Sequence, residues 1–174
     1  GGSYSAAEQS AYAAARAAGV IVVAAAGNEA STLPSYPAAY TGVISVSAVD
    51  QRRALAPYSN RGTTVDVAAP GGDLSADADS DGQPDGVLST LAVTGSSSIQ
   101  PSYNYYQGTS MAAPQVTGTA AIVASVTGLR GAALRSRLLS TTDDRGAPGY
   151  DTTFGNGRLN SYRAVTNGSL GAGL

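Results

Sequence analysis

The alternation of apolar and polar positions changes period several times along the chain, and each change marks an element. Ser5-Ala6-Ala7-Glu8 has capping-box spacing, the Ala-rich run over residues 6–18 has high helix propensity, and Gly19 supplies a left-handed stop. Val20-Ile21-Val22-Val23-Ala24-Ala25-Ala26 follows without alternation, the pattern of a parallel strand covered by helices on both faces. Runs at 43–49 and 65–68 are again β-branched and are bounded by Gly, Pro, Asn or Asp, so they extend the same sheet. Residues 87–93 and 103–107 flank Thr94-Gly95-Ser96-Ser97-Ser98 and read as an irregular hairpin. Small and branched apolar residues are nearly continuous over 110–126, with Pro114 early enough for a first turn and Gly128 at the close; this predicts a buried helix starting at Ser110. Further helices are expected at 132–140 and 161–165. The fold class is therefore α/β, a mostly parallel buried sheet flanked by helices, with residues 1–165 as one unit and 166–174 as a flexible Gly/Ser tail.

Composition removes several function classes. Of 174 residues only 13% are charged, the formal net charge is −2 and every basic residue is Arg, which leaves no broad basic surface for nucleic acid or anionic lipid. The longest apolar stretch is far shorter than the roughly 20 residues of a membrane span. There is no Cys, which excludes a disulfide framework, thiol catalysis and thiolate metal sites. There is also no His and no Lys, although a serine or threonine nucleophile needs a base to take its proton.

The candidate chemistry lies in Gly108-Thr109-Ser110-Met111-Ala112-Ala113-Pro114. A serine at a helix N-terminus sits among backbone N–H groups that lack intrahelical partners, so its own N–H and the helix dipole can stabilise an oxyanion beside it. Taken alone, a serine before an apolar helical run is more often a simple N-cap. A nucleophile elbow is excluded because Ala112 stands where glycine is needed, and Ser-x-x-Lys is excluded by Ala113.

That seven-residue run resembles the nucleophile motif of the subtilisin-like serine proteases. Ala25-Ala26-Gly27-Asn28-Glu29, closing a buried strand, resembles the segment that carries the family's oxyanion-hole asparagine. The resemblance extends through Tyr36-Pro37-Ala38-Ala39-Tyr40, Ser59-Asn60-Arg61-Gly62, Val67-Ala68-Ala69-Pro70-Gly71 and Gly155-Asn156-Gly157-Arg158-Leu159-Asn160. It implies Ser110 as the acylating nucleophile and Asn28 as an oxyanion donor. It also implies Ala25, Ala26 and Gly27 as a wall of the pocket for the residue before the scissile bond, Ser35 near that pocket's base, and Thr109 within the substrate-binding set. Small residues there imply a roomy, uncharged pocket. In the family the catalytic Asp and His precede the stretch resembling Gly1 and Gly2, and neither motif is present here. The resemblance thus implies the C-terminal portion of a catalytic domain, a partial subtilisin-like fold whose N-terminal strands are missing. Gln115 stands where the family usually has a helix histidine distinct from the catalytic one, and a change in one local hydrogen bond is expected.

Asp77-Ala78-Asp79-Ser80-Asp81-Gly82-Gln83-Pro84-Asp85 places carboxylates at alternate positions with Gly sixth, the first half of an EF-hand-type loop. Asp77, Asp79, Asp81 and Asp85 are the candidate ligands for a structural Ca²⁺. Leu88 replaces the bidentate Glu, and a solvated surface insertion explains the segment equally well. No cofactor is expected for catalysis.

The function expected from these residues is that of a serine endopeptidase segment. Its partners would be a polypeptide substrate and the upstream half of the same domain, without nucleic acid or membrane. The chain alone is expected to be inactive for want of Asp and His, and to self-associate through an exposed sheet edge. An extracellular location follows from the resemblance. The alternative is a non-catalytic module, calcium-binding or self-associating.

Overall fold

In the computed structural model, residues 1–93 and 99–168 are described; the expected turn at 94–98 and residues 169–174 of the expected 166–174 tail lie outside them, while Thr166 belongs to the last helix. All six residues of β2 (Ile44–Val49) are buried, Ser45 and Ser47 included, so its polar positions mark no solvent face, as suits a central parallel strand. β1 (Val23–Ala25) and β3 (Val67–Pro70) flank it in parallel, with Val23 opposite Ile44 and Val46 opposite Val67, so the sheet order is β1-β2-β3. The first strand is shorter than the apolar run 20–26: Val20 is half exposed, and pairing to β2 begins only with the Ile44 N–H to the Val22 carbonyl.

β4 (Val87–Val93) and β5 (Gln100–Tyr106) form the expected hairpin as a separate antiparallel pair, with β5 beginning earlier than its β-branched content announced. Leu88, Ile99 and Tyr103 are all more than half exposed, so this arm adds little to the core.

Helix α1 (Ala6–Ala17) is capped by Ser5, whose hydroxyl accepts the Glu8 N–H at 3.4 Å. The return half of the capping box runs through a tyrosine: the Ser5 N–H donates to the Tyr40 hydroxyl at 2.9 Å, which donates to Glu8 Oε2 at 2.7 Å. Tyr40 in turn packs against Tyr4, Tyr12 and Tyr36.

Helix α2 (Thr109–Thr127) lies across all three parallel strands. It starts one residue before the serine, with Gly108 as N-cap. It was expected to be buried all round, but Thr109, Ala112, Val116, Thr119, Ala120 and Val123 make one buried face while Ile122 and Val126 are 52% and 65% exposed. Spacing of three and four residues puts the first set on one side of the helix, so the uniformly apolar sequence hides a two-sided element. Leu134 and Leu138 of α3 (Gly131–Ser140) close the core with Ile44, Val46, Val67, Val116 and Val123. The last helix, α4 (Ser161–Thr166), is capped by Asn160 Oδ1, which accepts the Arg163 N–H.

Residues 155–160 seal the outer edge of β3, with the Ala68 N–H bonded to Gly157 O and the Leu159 N–H to Ala68 O. Asp143 fastens this segment, accepting from Arg158 at 2.6 Å and from Asn160 at 2.8 Å, with Arg163 3.5 Å away. Burial pushes its carboxyl upward, but bonds from Arg158 and Asn160 and the Arg158 charge outweigh that and hold it below the usual 3.8. A depressed carboxylate contributes stability above its unfolded pKa and loses that contribution as pH falls through the folded one. Asp143→Asn is accordingly expected to cost about 1–3 kcal/mol at pH 7, measured by urea unfolding. The gap from the parent protein should shrink progressively below pH 3.8.

Candidate active site

The N-terminus of α2 is open. Gly108 has φ +147° and ψ 160°, a backbone state that a Cβ disfavours, and makes no side-chain cap. Its N–H is held by the Gly71 carbonyl at 2.9 Å and the Tyr58 hydroxyl at 3.0 Å. Ser110 is exposed in the first turn, where backbone N–H groups have no intrahelical acceptor and the helix end is partially positive.

Asn28 approaches from the loop after β1. Its Oδ1 accepts both the Thr109 N–H at 2.8 Å and the Thr109 hydroxyl at 2.9 Å. Two donors on one oxygen settle which way the amide points, so Nδ2 is left to donate outward. A Cβ on Gly108 would lie 3.6 Å from Ser110 N, 3.6 Å from Asn28 Nδ2 and 3.7 Å from Asn28 Oδ1, so the Ser110 and Asn28 nitrogens both border the space that this glycine leaves open. Thr109 is fully buried, and its hydroxyl also accepts the Gly27 N–H at 3.2 Å. It thus ties the loop to the helix rather than presenting a binding surface.

The other residues implied by the resemblance fall at or near the sheet's C-terminal edge. Ala25 ends β1, Ala26 is buried and Gly27 half-buried. Ser35 is half-buried against Gly1, where a Cβ would collide with its hydroxyl, and Gly2 bridges antiparallel to Tyr36. Gln115 Nε2 donates to the Pro70 carbonyl at 3.2 Å. With no His or Lys in the chain, no imidazole or amine lies beside Ser110.

In the acidic loop, one ligand atom each from Asp77, Asp79 and Asp85 lie within 4.8 Å of one another. Asp81 is outside that group, its Oδ1 instead accepting the Gln83 N–H at 2.8 Å. Asp77 accepts the Asp81 and Gly82 N–H groups on its two oxygens, Asp79 the Asp81 N–H and the Gln51 amide on its two, and Asp85 the Ala78 N–H through Oδ2. Hard oxygen donors in this number suit calcium better than a transition metal.

Two residues with contacts to both sides of the site carry no motif. Tyr58 reaches Gly108, and Asn60 makes four side-chain hydrogen bonds into the segment 26–31. Their contacts are long-range, so the signal in the sequence was only that Ser59-Asn60-Arg61-Gly62 sits in a matching stretch.

A family model described as the Subtilase family matches residues 1–157. The chain belongs to the subtilase family. This subtilase chain is 44% identical over 148 residues to the thermophilic serine proteinase of Bacillus sp. strain AK1, spanning 85% of this chain and 31% of that protein. It is 41% identical over 170 residues to the extracellular protease of Xanthomonas campestris, covering 95% of this chain and 27% of that one. Its backbone superposes on a solved protease of Pseudoalteromonas arctica with a TM-score of 0.81 and 41% identity, over 97% of this chain and 48% of the other. The subtilase chain therefore spans about half or less of these relatives. No helix among the described residues is long and apolar enough to cross a membrane.

Thr109→Val keeps the shape of the loop-to-helix link but leaves the Gly27 N–H without its acceptor. The expected cost is about 1–3 kcal/mol, read as a drop in melting temperature of about 2–4 °C per kcal/mol for a chain of this size.

Proposed function

We propose that this subtilase chain supplies the nucleophile and the oxyanion donors of a secreted serine endopeptidase. The observation that carries this reading is that Ser110 N and Asn28 Nδ2 border one open space beside the exposed Ser110. Ser110 Oγ attacks the scissile carbonyl, and its proton passes to an imidazole contributed by the part of the domain that this chain does not span. The carbonyl oxygen, now negative, is held by the two N–H donors, whose bonds strengthen as charge develops. Collapse of the tetrahedral species expels the amine and leaves an acyl-enzyme that water hydrolyses.

The small residues Ala25, Ala26, Gly27 and Ser35 favour a roomy, uncharged pocket for the substrate residue before the cleaved bond. The outer edge of β1 has no pairing partner among the described residues, and Ile122 and Val126 of α2 are exposed. We read these as surfaces that the rest of the catalytic domain covers, with self-association the outcome where it does not. The Xanthomonas relative's description as extracellular supports secretion.

In the protein that includes the whole catalytic domain, Ser110 is expected to react with a fluorophosphonate, read by mass spectrometry of the modified peptide. Ser110→Ala should abolish both labelling and peptide hydrolysis. Asn28→Ala should lower turnover by about 10²–10³-fold, a range carried over from subtilisin, the relative in which loss of such a donor sets the scale. Absence of labelling in the whole domain would favour the non-catalytic module instead.

We also propose that Asp77, Asp79 and Asp85 hold a structural calcium that orders the 77–85 loop, on the strength of their convergence. Affinity in the range of about 10⁻⁴–10⁻³ M is expected for an exposed site of this kind. Millimolar calcium should raise the melting temperature, and Asp79→Asn should remove the effect; an unchanged melt in the parent protein would end this reading.

A further inference from the structure

Three consecutive residues, Tyr58-Ser59-Asn60, touch all the elements that meet at the oxyanion donors. Asn60 is 4% exposed. Its Oδ1 accepts the Glu29 and Ser31 N–H groups, both at 3.0 Å, and its Nδ2 donates to the Ala26 carbonyl at 3.0 Å and to Glu29 Oε2 at 2.8 Å. Its backbone N–H donates to the Gly27 carbonyl at 2.9 Å. Asn28 is thus bracketed on both sides by bonds to a single side chain whose amide is fully used. A Cβ on Gly27 would collide with that amide, so the loop passes Asn60 as closely as its backbone allows.

Tyr58 holds the other side. Its hydroxyl accepts the Gly108 N–H at 3.0 Å and shares its proton between the carbonyls of Gly71 at 2.9 Å and Gly72 at 2.7 Å. Its carbonyl accepts the Ala30 N–H at 2.8 Å, reaching back to the Asn28 loop. Ser59 joins the tripeptide to the central strand: its hydroxyl accepts the Ala48 N–H at 2.9 Å and donates to the Asn60 carbonyl at 3.0 Å. Burial, with only partial relief from the Gly108 N–H, pushes the Tyr58 hydroxyl up to about 12. It therefore keeps the proton it shares between the two carbonyls well into alkaline solution.

We propose that Tyr58 and Asn60 are positioning residues that fix the separation of Asn28 Nδ2 from the Ser110 N–H by bracing the β1 loop and the α2 N-terminus against one strand. This rests on the protease reading above. Neither residue is assigned a contact with the reacting atoms. Their effect is confined to donor placement, and displacement of an aligned group by about 1 Å can cost up to about 10²-fold in rate.

The test uses the whole catalytic domain with a peptide ester and a peptide amide as substrates. Asn60→Ala and Tyr58→Phe are expected to lower kcat by about 10–100-fold and about 3–10-fold, with KM within about twofold, because the donors bind the transition state and not the ground state. The decisive readout is the double-mutant cycle: once Asn28 is already alanine, Asn60→Ala should lower kcat by less than about twofold further. A purely structural role predicts the same fractional loss in both backgrounds, and that result would overturn the proposal. Tyr58→Phe deletes one hydroxyl only, so it provides the test should Asn60→Ala not fold. An unchanged kcat in Tyr58→Phe would exclude Tyr58 from the brace. If the parent domain neither turns over substrate nor labels with fluorophosphonate, the protease reading fails and the brace with it; an active parent with additive losses removes the brace alone.

Discussion

Asn28 and Thr109 lie 81 positions apart in the chain, yet the amide of one accepts two hydrogen bonds from the other. Most of what is distinctive here follows from that meeting. A loop leaving a strand and a helix starting beneath it must arrive at the same point with their donors aimed the same way. A parallel three-stranded sheet suits this requirement, since the loops that follow its strands emerge along one edge. The residues at the meeting point are small for the same reason: Ala26, Gly27 and Gly108 let backbone approach backbone.

The open helix end carries a physical tension. N–H groups at an uncapped N-terminus lack partners, and Gly108 sits in a conformation that favours glycine. The surroundings compensate by binding the Gly108 N–H twice and the Thr109 N–H once, and the Ser110 nitrogen borders the open space beside Gly108. Polar groups at this junction are buried and satisfied, Asn60 above all. Buried satisfied networks hold one geometry, because each alternative leaves a desolvated group unpaired.

The elements were legible where burial is uniform or where caps are local. The strand at 44–49 was visible as part of a β-branched run bounded by turn residues, and the first helix was bounded by Ser5 and Gly19. Helix α2 was visible as a segment but not as a two-sided one. Its apolar residues cover every face, and only contact with the sheet separates Ala112 and Val116, which are buried, from Ile122 and Val126, which are exposed. The capping box at Ser5 was similarly read as a local pair, whereas its second half passes through Tyr40, 35 residues away. Among the four acidic candidates, spacing along the chain could not tell that Asp81 would bond Gln83 while Asp77, Asp79 and Asp85 gathered.

The Gly108–Pro114 run, the Gly27-Asn28 loop and the family were legible in the sequence alone, because each is carried by contiguous residues. Only the tertiary structure decided the orientation of the Asn28 amide, the burial of Thr109 and the double grip of Tyr58 and Asn60. Those depend on hydrogen bonds between positions from 13 to 82 residues apart, and no spacing in the chain records which distant donor will meet which acceptor.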